Sequence, residues 1–189
     1  PGCTQTNLPA AILLPGTALG FDQPMTLTTA GDIQIHTNAA LIARHPLTLT
    51  CGGRLTNEGT VWIAAPSSNA IAGNMALLGS NACVSVQGPI VVGGNMALDG
   101  GAALRLCATN SITNQLGGCL AVGGALSLQN ASWIHPYADR MNGGVVRVSC
   151  AALSVDADCG FDADFKGFNP ASGPGKTASV GDTKGGSAG

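Results

Sequence analysis

Residues Trp133-Ile134-His135-Pro136-Tyr137-Ala138-Asp139-Arg140 hold the only tyrosine and one of the two tryptophans of the chain. In an extended strand Trp133, His135, Tyr137 and Asp139 share one face. Aromatic rings stack on the C–H faces of sugars, and Arg140 can neutralise a uronate carboxylate. An Arg, His or Tyr can move the proton of a β-elimination. These residues are therefore glycan-binding candidates, with a polysaccharide lyase as the enzymatic extension. A glycosidase would need two carboxyls roughly 5–10 Å apart across a cleft, and this segment offers only Asp139. The plainer reading, and the preferred one, is a decorated loop covering the side of the fold, with no catalytic residue.

Two Asp-Ala-Asp triplets, Asp156-Ala157-Asp158 and Asp162-Ala163-Asp164, place alternating carboxylates on one side of an extended chain. Calcium takes several oxygen ligands, so these four acids are the candidate metal site and calcium the one cofactor to consider. The sequence has no EF-hand loop and no G-G-x-G-x-D nonapeptide, which favours solvated surface acids. Gly173-Pro174-Gly175-Lys176-Thr177 lacks the earlier glycine of a phosphate loop, since position 170 is Pro170. No G-x-S-x-G elbow is present. Asn130-Ala131-Ser132 is a glycosylation sequon, meaningful only in a eukaryotic source.

Seven cysteines, Cys3, Cys51, Cys83, Cys107, Cys119, Cys150 and Cys159, contain no C-x-x-C pair, and His36, His45 and His135 stand apart from them. Zinc sites use short paired spacings. The pattern instead predicts disulfides and a secreted or cell-surface setting. Cys107–Cys119 and Cys150–Cys159 would close short local loops, and Cys51 and Cys83 are further candidates. Connectivity is not fixed by sequence, and an odd number leaves one thiol over.

The elements that must carry these groups are short. Of 189 residues, 28 are glycine and 10% are charged, with a net charge of −2. Glycine disfavours helix interiors, and the only glutamate is Glu58. Eight scattered Lys and Arg residues argue against a nucleic-acid partner. No apolar run approaches the ~18–20 residues of a membrane helix, so no membrane insertion is expected. Apolar–polar–apolar triplets recur instead, among them Ile33-Gln34-Ile35, Leu47-Thr48-Leu49, Val61-Trp62-Ile63, Val84-Ser85-Val86 and Leu104-Arg105-Leu106. That is the half-buried strand period.

Val84, Leu104, Leu126 and Val146 begin triplets 20, 22 and 20 residues apart, and Gly73-Asn74-Met75-Ala76-Leu77 recurs as Gly94-Asn95-Met96-Ala97-Leu98. Val92-Gly93-Gly94 recurs as Val122-Gly123-Gly124. A period near twenty with several short strands predicts a β-solenoid, with an antiparallel sandwich as the competing architecture. The four triplets are expected to stack as successive rungs. Residues 1–24, with Pro1, Pro9, Pro15 and Pro24, read as a cap or lead-in, and residues 25–160 as the coils. Ala131–Gly143 reads as an excursion between rungs. Residues 161–189 form a Gly/Ser/Pro-rich tail, expected to continue into a longer parent chain.

Leu47-Thr48-Leu49-Thr50-Cys51-Gly52-Gly53-Arg54-Leu55-Thr56-Asn57-Glu58-Gly59-Thr60-Val61 resembles the L-T-V-x-x-G-G-x-L-T-N-x-G-T-I coils of secreted right-handed parallel β-helix proteins, such as autotransporter passengers and filamentous adhesins. Val155–Asp158 and Gly167–Gly175 are similar to a glycine-rich segment of large secreted β-helix proteins, from which Cys159 and residues 161–166 depart. The likeness spans residues 25–175. It implies an all-β, single-stranded, right-handed parallel β-helix with about 20–22 residues per coil and an extracellular setting, and it implies no reaction. The expected function is a non-enzymatic structural or adhesive module of a larger surface protein or fibre. Its partners would be other copies of itself, other segments of the parent protein, or extracellular glycans. A subunit of a self-assembling filament and a lyase-like enzyme using the 133–140 loop are the alternatives.

Overall fold

The computed structural model describes residues 5–108, 118–139, 144–164 and 166–167. Among them every strand pairing is parallel and no helix occurs. The chain winds as a parallel β-helix with three sides. The first coil is β1 (Gln5–Leu8), β2 (Ala11–Leu13) and β3 (Ala18–Phe21); the second is β4 (Met25–Thr29), β5 (Ile33–Ile35) and β6 (Ala40–Ala43). The third is β7 (Leu47–Cys51), β8 (Leu55–Asn57) and β9 (Thr60–Pro66); the fourth is β10 (Ser68–Ile71), β11 (Met75–Leu78) and β12 (Cys83–Gln87). The fifth is β13 (Pro89–Val92), β14 (Met96–Asp99) and β15 (Ala103–Cys107). In the sixth, β16 (Gly118–Leu128) turns a corner to serve the first two sides before β17 (Trp133–Tyr137). In the seventh, β18 (Val146–Val155) does the same before β19 (Gly160–Phe161).

Several boundaries differ from the sequence expectation. Residues 5–21 are not a lead-in: β1, β2 and β3 pair in register with β4, β5 and β6 as a full coil. Trp133–Tyr137 is not an excursion but a rung, paired with β15 and β19. Pro136, which has no N–H, falls where the two-residue β19 has already ended. Of the four triplets expected to stack, Val84 does face Leu104, but Leu104 then faces Ile134. Leu126 faces Met96 and Val146 faces Gly118, both in the other sheet. The cause is a change of interval. Asn69 to Ile90 is one coil in 21 residues, whereas Pro89 to Cys119 is one coil in 30. Of the tail, residues 168–189 lie outside the described residues.

Alternation puts one row of side chains inside and the next outside. On the third side Leu41, Val61, Val84, Leu104 and Ile134 form a continuous inner ladder, all buried. Met75, Met96 and Leu126 do the same on the second side. Burying each such side chain contributes about 1.5–3 kcal/mol, which a lone coil could not realise because its inner face would be wet. Four buried residues among those described are polar: Thr29, Asn57, Asn69 and Ser132; Thr29 Oγ1 donates to the Gly31 carbonyl and Ser132 Oγ accepts from Ala102 N. Asn57 is satisfied: its Nδ2 donates to the Gly59 carbonyl at 3.0 Å and its Oδ1 accepts from Gly59 N at 3.2 Å. Asn69 donates to Ser67 Oγ and the Pro89 carbonyl, yet its Oδ1 has no partner.

The recurring Gly-Asn pairs build the corner before the second side. Asn74 Oδ1 accepts a hydrogen bond from Asn95 N at 2.9 Å, and Asn95 Oδ1 accepts one from Ala125 N at 2.8 Å. Asp32 Oδ1 does the same for Arg54 N at 2.8 Å, which draws the Asp32 carboxyl below its ordinary range. The backbone carbonyls of the same residues accept from the preceding coil: Asn95 O from Met75 N and Asn74 O from Leu55 N, both 2.9 Å. Each side chain occupies the space where the next coil would carry a Cβ. A Cβ on Gly94 would collide with Asn74 Oδ1, and one on Gly124 with Asn95 Oδ1. Glycine at that position is therefore steric, a close approach rather than a positive φ.

Candidate functional site

The outer surface of the third side gathers the chemistry. Its central column runs Ile42, Trp62, Ser85, Arg105, His135, each in register with the next. Asp162 follows Phe161, which lies beyond Ile134, and its N–H bonds the Ile134 carbonyl at 2.9 Å. That seats its carboxylate against His135, with Nδ1 and Oδ2 at 3.0 Å. Lys166 closes the group: its Nζ lies 2.5 Å from Asp162 Oδ2, donates to the Asp164 carbonyl at 3.2 Å, and sits 5.5 Å from the centre of the Tyr137 ring. Asp164 N–H bonds Asp162 Oδ1 at 2.9 Å, and Ala138 N–H bonds the Lys166 carbonyl at 2.9 Å. The Lys166 hydrogen bond, followed by the Asp164 amide, holds the Asp162 carboxyl down at about 2.

The structure thus joins two groups that the sequence kept apart, the 133–140 segment and the second Asp-Ala-Asp triplet. Trp133, His135 and Tyr137 do share the outer face of β17, and Trp133 lies against Gly160. Asp139 follows the strand and has an interaction partner. Arg140, on which the lyase alternative turned, lies outside the described residues. The low-lying Asp162 carboxyl thus acts as a clamp, tying the strand end to Lys166 and His135.

The four candidate calcium ligands separate into two places. Asp156 and Asp158 flank the turn after β18, where Asp158 takes φ 61 and Cys159 N bonds the Asp156 carbonyl. Asp162 and Asp164 lie after β19. Among the described residues no three His, Cys, Asp or Glu side chains gather closely enough to hold a metal ion.

The disulfide expectation is corrected. Cys51, Cys83, Cys107, Cys119, Cys150 and Cys159 are all free thiols, and Cys3 lies outside the described residues. Cys107 and Cys119 both face outward, on two sides that meet at a corner, because Cys107 pairs with Gln87 and Cys119 with Pro89. Cys150 lies in the row below Val122 on the first side, and Cys159 comes just before β19 on the third. Both pack against the core. Cys51 is fully inside and acts as a small hydrophobe. Burial pushes the Cys107 thiol up.

Three residues of this surface were missed in the sequence: Trp62, Arg105 and Lys166. The first two are the middle residues of apolar triplets, and such middle residues point outward. The signal was present, but the 30-residue step hid that Arg105 stands beside His135. Comparison with known protein families, curated proteins and solved structures gives no match.

Proposed function

We propose that the chain is a non-enzymatic β-helix module, extracellular or at the cell surface, with a structural or adhesive role in a larger protein or fibre. The observation that carries this reading is the seventh coil. Leu153, Val155 and Phe161 are 53%, 42% and 43% exposed, although they continue the inner rows of Leu126, Leu128 and Ile134. A stack whose last described coil shows its core residues is built to receive another coil. Supplying that coil from a second copy is the filament form of the same reading. The extracellular part rests on the likeness of residues 47–61 to secreted β-helix coils; six free thiols lend it no support.

Sedimentation velocity across a concentration series tests the reading. The chain should associate as concentration rises, and the double variant Leu153→Lys, Val155→Lys should remain monomeric with its strand circular dichroism intact. A parent chain that is monomeric at every concentration, or a variant that associates equally, removes the end-to-end reading.

A further inference from the structure

We propose that the outer surface of the third side, from Trp62 across Arg105 to Trp133, binds an acidic polysaccharide. Arg105 would take a uronate carboxylate, and the two indoles would take sugar faces. This gives the adhesive reading its ligand and rests on that reading.

Three observations carry it. Trp62 and Trp133 are 42% and 37% exposed, and both lie on this one side of the β-helix. Their neighbours leave room for a ligand. Trp133 stands between Ala103 and Gly160, and Trp62 between Ile42 and Ser85, so its open side is the one towards Ser85. An indole beside small residues is not stacked upon by its neighbours in the ladder, so one ring face remains for a ligand.

The charge is complementary. Arg105 is exposed and makes no ion pair among the described residues. The acid in the same column, Asp162, is already ion-paired with Lys166 and in hydrogen-bond contact with His135. A guanidinium with free donors offers a carboxylate two parallel hydrogen bonds.

The spacing is fixed by the ladder. Parallel rungs repeat every ~4.8 Å, so Arg105 lies about 10 Å from the Trp62 rung and Trp133 about 14 Å from it. These groups sit on strands, not loops, so little ordering is required on binding. Trp133 stands two residues to one side of the Trp62–Ser85–Arg105 column, so an extended polymer crossing the rungs obliquely would meet an indole, a guanidinium and a second indole in turn.

The composition supplies the assay, because the chain has only two tryptophans and both are on this surface. Oligogalacturonate is titrated into the whole chain at low salt while tryptophan emission is followed. A saturable change is expected, reversed by added salt, with affinity at least about tenfold weaker in Arg105→Gln and intermediate in Arg105→Lys, whose ammonium keeps the charge but not the paired donors. Galactose oligomers of equal length should produce little response. The proposal is overturned by no emission change up to millimolar oligogalacturonate, by an equal response to the neutral oligomers, or by unchanged affinity in a folded Arg105→Gln. Arg105 is remote from the coil end, so sedimentation of the same variant separates a failure of this surface from a failure of the rod.

Discussion

Ala131 holds φ 59 beside Asn130 at φ 50, in the corner where the coil above places Gly100 and Gly101. A Cβ in that region costs roughly 1–2 kcal/mol, part of which a glycine returns through its freer unfolded chain. Ala131→Gly is therefore expected to stabilise the protein by about 1 kcal/mol, read as a higher urea midpoint at unchanged slope. A lower midpoint would show that the Ala131 methyl packs better than its backbone suffers. Asp162 makes a second prediction at this scale. Its folded-state value is about 2, below the ordinary 3.8, so the clamp with Lys166 and His135 contributes fully above the ordinary value. The contribution is lost as pH falls through 3.8 towards 2. The melting temperatures of the parent and Asp162→Asn should differ above the ordinary carboxyl value and converge as pH falls from 3.8 towards 2. A gap that persists undiminished to pH 2 would contradict this assignment.

Among the elements, the Gly-Asn corner is the most demanding. Gly94→Ala should cost about 2 kcal/mol, the usual range for a forced steric shift, because the new methyl meets Asn74 Oδ1. In an Asn74→Ala background that cost should fall by about half. Thermal unfolding of the four proteins measures the coupling, and simple additivity would mean that the clash is relieved elsewhere. This corner was legible in the sequence, since the repeats of Gly-Asn-Met-Ala-Leu and of Val-Gly-Gly do stack in register. Strand type was legible too, because inward and outward rows alternate without exception in triplets such as Leu104-Arg105-Leu106. Rung assignment was not. The inner rows of all three sides use the same aliphatic residues, so nothing in Leu126 or Val146 says which side it faces, and an interval near twenty arose by coincidence. For the same reason the segment around His135 passed for a loop, and its partner Lys166 lay beyond any local pattern.

Over the whole molecule, stability should follow position along the axis. Each coil is covered by two neighbours except where the stack opens, and solenoids unravel from such places. Amide exchange should be slowest in β8, β11, β14 and the inner rows around Leu77, Leu98 and Leu104, and fastest in β18 and β19. Equal protection of the seventh and fourth coils would refute this ordering. The corner ladder has a further consequence for the length of the molecule. Asn74 presents an acceptor to the coil that follows, and Gly94 closes the same stretch of chain by making room for that acceptor. The stretch from Asn74 to Gly94 therefore begins and ends on matching halves of one joint, like a tile with a tongue on one edge and a groove on the other. Duplicating or deleting it in the gene leaves every remaining joint complete. The β-helix can then be lengthened or shortened by one rung at a time, carrying its outward-facing residues to new separations without redesign of its interior.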